Sequence, residues 1–97
     1  MPVLAAHSPS DCFDCAIEAS RIALTYMTPV ILLSDLYVAN GAEPWKIPNV
    51  SELPVIDTKF ADLNEELIVY KRDPETLART QAIPGQAGLE HRIGGLE

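Results

Sequence analysis

The chain has 97 residues and a formal net charge of −7, enough for one small domain, although a chain of this size buries only about two-thirds of its unfolded surface. The acidic balance and a pI near 4.6 argue against a nucleic-acid backbone or an anionic membrane surface as partner, since both select for a basic stripe. Two cysteines do not make a disulfide framework, and no apolar run approaches the roughly 20 residues of a membrane span. The expectation is a soluble, cytoplasmic protein, and eight prolines, most of them after residue 40, hint at an incomplete core.

Residues 1–6 are short and apolar and suit an extended lead-in or an edge strand. Ser8-Pro9-Ser10-Asp11 then reads as a helix start, with Ser8 as cap, Pro9 at the first helical position and Asp11 placed as in a capping box. From Pro9 to about Met27, the residues Phe13, Ala16, Ile17, Ala23, Leu24 and Met27 recur at helical spacing and predict one apolar face. Asp14, Glu18, Arg21 and Thr25 form a polar stripe in which Glu18 and Arg21 can pair. Pro29 forces Thr28 out of the helical region and ends the helix.

Val30 to Leu33 follows as an unbroken apolar run, the mark of a parallel strand covered on both faces. A helix feeding such a strand is the second half of a βαβ unit. One helix covers one face only, and no second helical layer or neighbouring strand is evident downstream. At Ser34-Asp35 the strand gives way to a loop, with a turn expected at Asn40-Gly41. In open α/β sheets that carboxyl end is where ligands gather.

Beyond Trp45 the pattern becomes irregular. Short strands are possible at Leu53–Ile56, Leu67–Tyr70 and His91–Ile93, and one or two helical turns at Asp73–Arg79, capped by Asp73 with Pro74 at the first position. Trp45 reads as an anchor holding a proline-rich connector against the rest.

The blocks SPSDCFDCAIEASRIALTYMTPVILLSD, YVANGAEPWKIP, YKRDPETLAR, AIPG and GLEHRIGGLE, in this order along nearly the whole chain, resemble the α subunit of 2-oxoacid:acceptor oxidoreductases, in particular the 2-oxoglutarate:ferredoxin type. The resemblance implies the end of the pyrimidine-binding module of a thiamine diphosphate fold in residues 1–45, and a linker towards the next domain in residues 46–97. The fold class expected is therefore α/β: one amphipathic helix feeding one buried parallel strand, then an irregular connector with short strands.

The enzyme so implied decarboxylates a 2-oxoacid, forms an acyl-CoA and passes electrons to ferredoxin. It uses thiamine diphosphate, magnesium and iron–sulfur clusters in a complex with a β subunit and the remainder of the α subunit. No catalytic or metal-binding residue of the family carries over to a position here, and the chain alone is expected to be inert and to bind none of these groups. Two departures stand out. Leu36 follows Ser34-Asp35 where the family more often has glycine, and Thr80-Gln81 follows Leu77-Ala78-Arg79 where an aromatic residue is common.

The cleft-proximal candidates are Asp35, at the end of the strand, and Asn40. For Asp35 the competing reading is a turn cap. Cys12 and Cys15 form a CxxC near a helix start, the arrangement that lowers a thiol pKa in redox enzymes. Ser8 and Pro9 already occupy the helix end, so packing is the stronger reading. Glu43, Glu65, Glu66 and Glu75 read as solvated, with no carboxylate pair set for acid–base work. A different class of function, a small acidic interaction module using residues 30–45, stands as the alternative.

Overall fold

The computed structural model describes residues 1–62, 70–92 and 94. Its regular part is a βαβ unit. Strand β1 (Val3–Ala5), helix α1 (Asp11–Tyr26) and strand β2 (Ile31–Leu33) are followed by a short helix α2 (Leu36–Asn40) and a single 3-10 turn at Val50–Glu52. The strands are parallel, with Val3 opposite Ile31, Leu4 opposite Leu32 and Ala5 opposite Leu33. The ladder continues at both ends through the Ile31 N–H donating to Pro2 O and the Ala6 N–H donating to Leu33 O. The strand partner missing downstream is thus the lead-in itself. Pro2 sits where its lack of an N–H costs nothing, just ahead of the first ladder residue.

Regular helical bonding in α1 begins at Asp11, two residues after the expected start, but the expected cap is present. Ser8 Oγ accepts the Asp11 N–H at 3.3 Å, and the Asp11 carboxylate reaches back to the His7 N–H at 3.0 Å. Glu18 and Arg21 pair in a two-pronged contact at 2.7 and 2.6 Å. The helix ends on Met27 in the left-handed region, φ 45°, with the Thr28 N–H donating to Ala23 O. That cap geometry at a non-glycine residue, directly before Thr28-Pro29, carries no local sequence signal.

The single apolar face expected for α1 is only partly covered, and no residue of the helix is fully buried. Phe13 and Ile17 are half-buried, whereas Ala16, Ser20, Leu24 and Met27, one helical stripe, face outwards. Strand β2 is likewise open, with Ile31, Leu32 and Leu33 at 39%, 38% and 52% exposure. Among the described residues the buried apolar side chains are Val38, Ala78 and Leu89. A radius of gyration of 17.2 Å exceeds the roughly 13 Å of a compact 100-residue domain. Among the described elements, the strand that demands cover on two faces receives it from α1 alone.

Leu36 opens α2 and is not among the positive-φ residues, so the departure from glycine costs no backbone strain. The turn expected at Asn40-Gly41 is instead a helix end, and Gly41 is extended, with φ −70° and ψ 156°. Glycine is required there by proximity. A Cβ at Gly41 would meet Pro9 Cγ at 2.8 Å and Tyr37 O at 3.0 Å.

In the connector, Leu53–Ile56 forms no strand, and neither do His91 and Arg92. The proposed strand at 67–70 and residue 93 lie outside the described residues, apart from Tyr70, which is in a turn. Asp73 caps as expected, Oδ1 accepting from the N–H groups of Glu75 and Thr76 at 3.0 and 2.7 Å. The helix does not propagate, because Leu77 turns left-handed at φ 60° and the Asp73 N–H closes the loop on Ala78 O. A parallel bridge joins Phe60 to Gln81.

Candidate functional site

The carboxyl end of β2 is the first place to look, since it is where a parallel sheet presents ligands. Asp35 lies there as the cap of α2, Oδ1 accepting the Val38 N–H at 2.7 Å. Asn40 Nδ2 donates to Leu36 O at 2.9 Å. Both side chains hold the ends of one short helix, and that helix carries the buried Val38. Leu36 and Tyr37, on the same turn, are 81% and 87% exposed. This corner is therefore an apolar surface built on a rigid polar frame.

The second feature is a cleft of about 440 Å³ between the start of α1 and the segment after α2, lined by Ser10, Cys12, Phe13, Gly41, Glu43 and Trp45 among others. Glu43, read from sequence as solvated, is drawn onto the helix. Its Oε1 accepts from Ser10 N–H at 2.6 Å and from Ser10 Oγ at 2.5 Å. The Ser10 hydroxyl and then its N–H hold the Glu43 carboxyl below the usual range. Trp45 packs on Phe13 with ring centroids 5.3 Å apart, the anchoring role expected of it.

Cys12 and Cys15 are free thiols, both half-buried. Cys15 Sγ lies 3.5 Å from Asp11 Oδ2. Burial, and then that carboxylate, push the Cys15 thiol up from its ordinary value. A redox cysteine needs the opposite shift. Asp11 itself is held low by the His7 N–H and then by the His7 ring, whose Nδ1 is 2.7 Å away.

A third, open pocket of about 280 Å³ gathers Arg21, Lys59 and Arg79 with Asp57. Both of its arginines are already engaged. Arg21 is paired with Glu18, and Arg79 stacks over the Tyr70 ring at 5.1 Å. Among the described residues no three His, Cys, Asp or Glu side chains gather as metal ligands, and no helix is long and apolar enough to cross a membrane.

Comparison with known proteins decides the family. The model of the family described as pyruvate flavodoxin/ferredoxin oxidoreductase, thiamine diphosphate-binding, matches residues 1–97. The chain belongs to the pyruvate flavodoxin/ferredoxin oxidoreductase family. It is also similar to the 2-oxoglutarate oxidoreductase subunit KorA of Mycobacterium tuberculosis, with 63% identity over 95 residues, which is 98% of this chain. Those residues span 14% of that relative's length. No solved structure matches. The α/β architecture, a helix between parallel strands, fits a portion of the thiamine diphosphate-binding fold of this oxidoreductase family.

The features that sequence reasoning missed are contacts between distant positions. Glu43 on Ser10 spans 33 residues, and no spacing rule connects them. The short helix α2 did have a signal, an Asp cap three residues ahead of an apolar Val.

Proposed function

We propose that this chain is part of the α subunit of a 2-oxoglutarate:ferredoxin oxidoreductase, in which residues 1–45 end the pyrimidine-binding module and residues 46–97 lead to the next domain. The complete enzyme would oxidatively decarboxylate the 2-oxoacid to an acyl-CoA and pass electrons to ferredoxin. Its β subunit would share thiamine diphosphate, magnesium and iron–sulfur clusters. The observation that carries the reading is 63% identity to a 2-oxoglutarate oxidoreductase subunit across 98% of the chain.

The residues described here do not themselves fit a diphosphate cofactor. The amino end of α1, where an anion would be drawn by the helix dipole, is taken by the Glu43 carboxylate, which would repel a phosphate. Asp35 and Asn40 frame α2 and would shape the wall of a cofactor cleft, with no bond to the cofactor required of them. The role proposed for this chain is scaffolding: a βαβ corner whose open strand, 38–52% exposed at each residue, packs against further protein.

The test compares the isolated chain with the full-length subunit assembled with its partner, following 2-oxoglutarate- and CoA-dependent reduction of ferredoxin. Turnover is expected from the assembly and none from the chain. Turnover by the chain alone would overturn the reading. The second reading, an acidic interaction module, draws on the exposed apolar surface from Ile31 to Tyr37. It would prevail if the chain bound a partner subunit stably while an assembly built on the full-length subunit showed no 2-oxoacid oxidation.

A further inference from the structure

An α-helix leaves N–H groups unpaired at its start and four carbonyls unpaired at its end. In α1 Ser10 makes no capping bond with its side chain, and the last turn holds no basic residue. Ser8 Oγ meets the Asp11 N–H locally, and further end groups are met from far along the chain. At the amino end, the Ser10 N–H and hydroxyl go to Glu43. At the carboxyl end, Leu24 O accepts from Gln81 Nε2 at 2.8 Å and Thr25 O from the Arg79 N–H at 3.0 Å. Tyr26 O lies 3.4 Å from Arg72 Nη1, and Met27 O 3.4 Å from Arg79 Nη1. The signs match the helix dipole, an acid on the positive end and two arginines on the negative end.

We infer that the chain after Gly41 is a two-ended clip on α1, which couples the position of the connector to the integrity of both ends of the helix. The geometry is tight at the amino end, where Gly41 leaves no room for a Cβ beside Pro9 and Trp45 rests on Phe13. At the carboxyl end the clip is closed by the left-handed Leu77, whose carbonyl accepts Arg72 Nη1 at 3.0 Å. A connector drawn away from α1 must therefore loosen its first and last turns while the β1–β2 ladder stays intact. Cys12, which lines the cleft under Glu43 and Trp45, reports on the first of these. The inference rests on this geometry alone and holds or falls independently of the proposed activity.

The experiment is peptide-level hydrogen exchange and Cys12 alkylation on the full chain carrying Glu43→Ala, Glu43→Gln, Arg72→Ala or Arg79→Ala. Glu52→Gln, an exposed change of the same charge, is the control. Glu43→Ala should speed exchange at residues 11–14 and alkylation of Cys12 by about fivefold, the size of a lost helix cap, without changing residues 24–28. Glu43→Gln, which can still accept a neutral hydrogen bond, should fall between. The arginine variants should open residues 24–28 and leave the first turn unchanged. If Arg79→Ala fails to fold by circular dichroism, Arg72→Ala decides the carboxyl end. Exchange in Glu43→Ala equal to that in Glu52→Gln would overturn the inference, as would both ends opening by one common factor in every variant.

Discussion

Residues 1–41 and the chain after them are stabilised in opposite ways. The first half is regular: a three-residue parallel ladder, a 16-residue helix and a short capped helix, all bonded backbone to backbone over short loops. The second half has almost no repeating structure among its described residues. It keeps its shape through side chains and single backbone groups that dock on the first half, with Glu43, Arg72, Arg79 and Gln81 reaching the ends of α1. The regular half therefore supplies the template and the irregular half supplies its caps. A helix whose local caps leave several end groups open and a connector held by one isolated bridge complete each other.

The strongest way to break this relation is to attack the template. Leu4→Asp places a charge opposite Leu32 in the ladder and should cost about 3 kcal/mol or more, abolishing the folded signal in circular dichroism and urea titration. Val55→Asp, at an 89% exposed connector position, should change stability by no more than about 0.5 kcal/mol in the same titration.

A smaller effect is expected at the seam. Gly41→Ala forces a Cβ to within 2.8 Å of Pro9 Cγ and should cost about 1–3 kcal/mol through overpacking. Gly85→Ala, at φ +84° with nothing nearby, should cost about 1 kcal/mol through backbone strain alone. Equal losses would show that the seam is not packed as described. With β2 uncovered, the isolated chain should unfold in a broad transition of Trp45 fluorescence.

Acid should loosen the seam next. The Asp11, Glu43 and Asp73 carboxyls are all held below their ordinary values of 3.8, 4.5 and 3.8. Their contribution is fully present above those ordinary values and is lost as pH falls through the lower folded-state values. Exchange at residues 11–14 and in the turn at 73–76 should rise below about pH 4, and a Glu43→Gln chain should lose the Glu43 part of that dependence. The smallest effect is at Cys15. With its thiol pushed above the ordinary value of 9.0 by burial and by Asp11, its alkylation should rise at higher pH than that of free glutathione. A profile below glutathione would restore the redox reading of the CxxC.

Much of the template was legible because its signals are local. Ser8 and Asp11 mark a helix start through groups three residues apart, Pro29 marks its stop, and Val30 to Leu33 declares a parallel strand through apolar residues in series. The candidate site was legible only in part. Asp35 could be placed at the end of a strand from sequence, but its bond to the Val38 N–H appears only once α2 forms. Glu43 looked like any solvated acid, because what distinguishes it is Ser10, 33 positions earlier.

By itself the sequence determined the elements up to Leu33: periodicity, capping residues and prolines act over a few residues and need no distant partner. It also determined the family, since 63% identity across 98% of the chain is a property of residue order. Only the tertiary structure decided which lone strand pairs with which, that Gly41 is needed for room and not for φ, and that the ends of α1 are held by the connector. These depend on which groups meet across long stretches of chain, and the free energy of such contacts has no counterpart in local spacing.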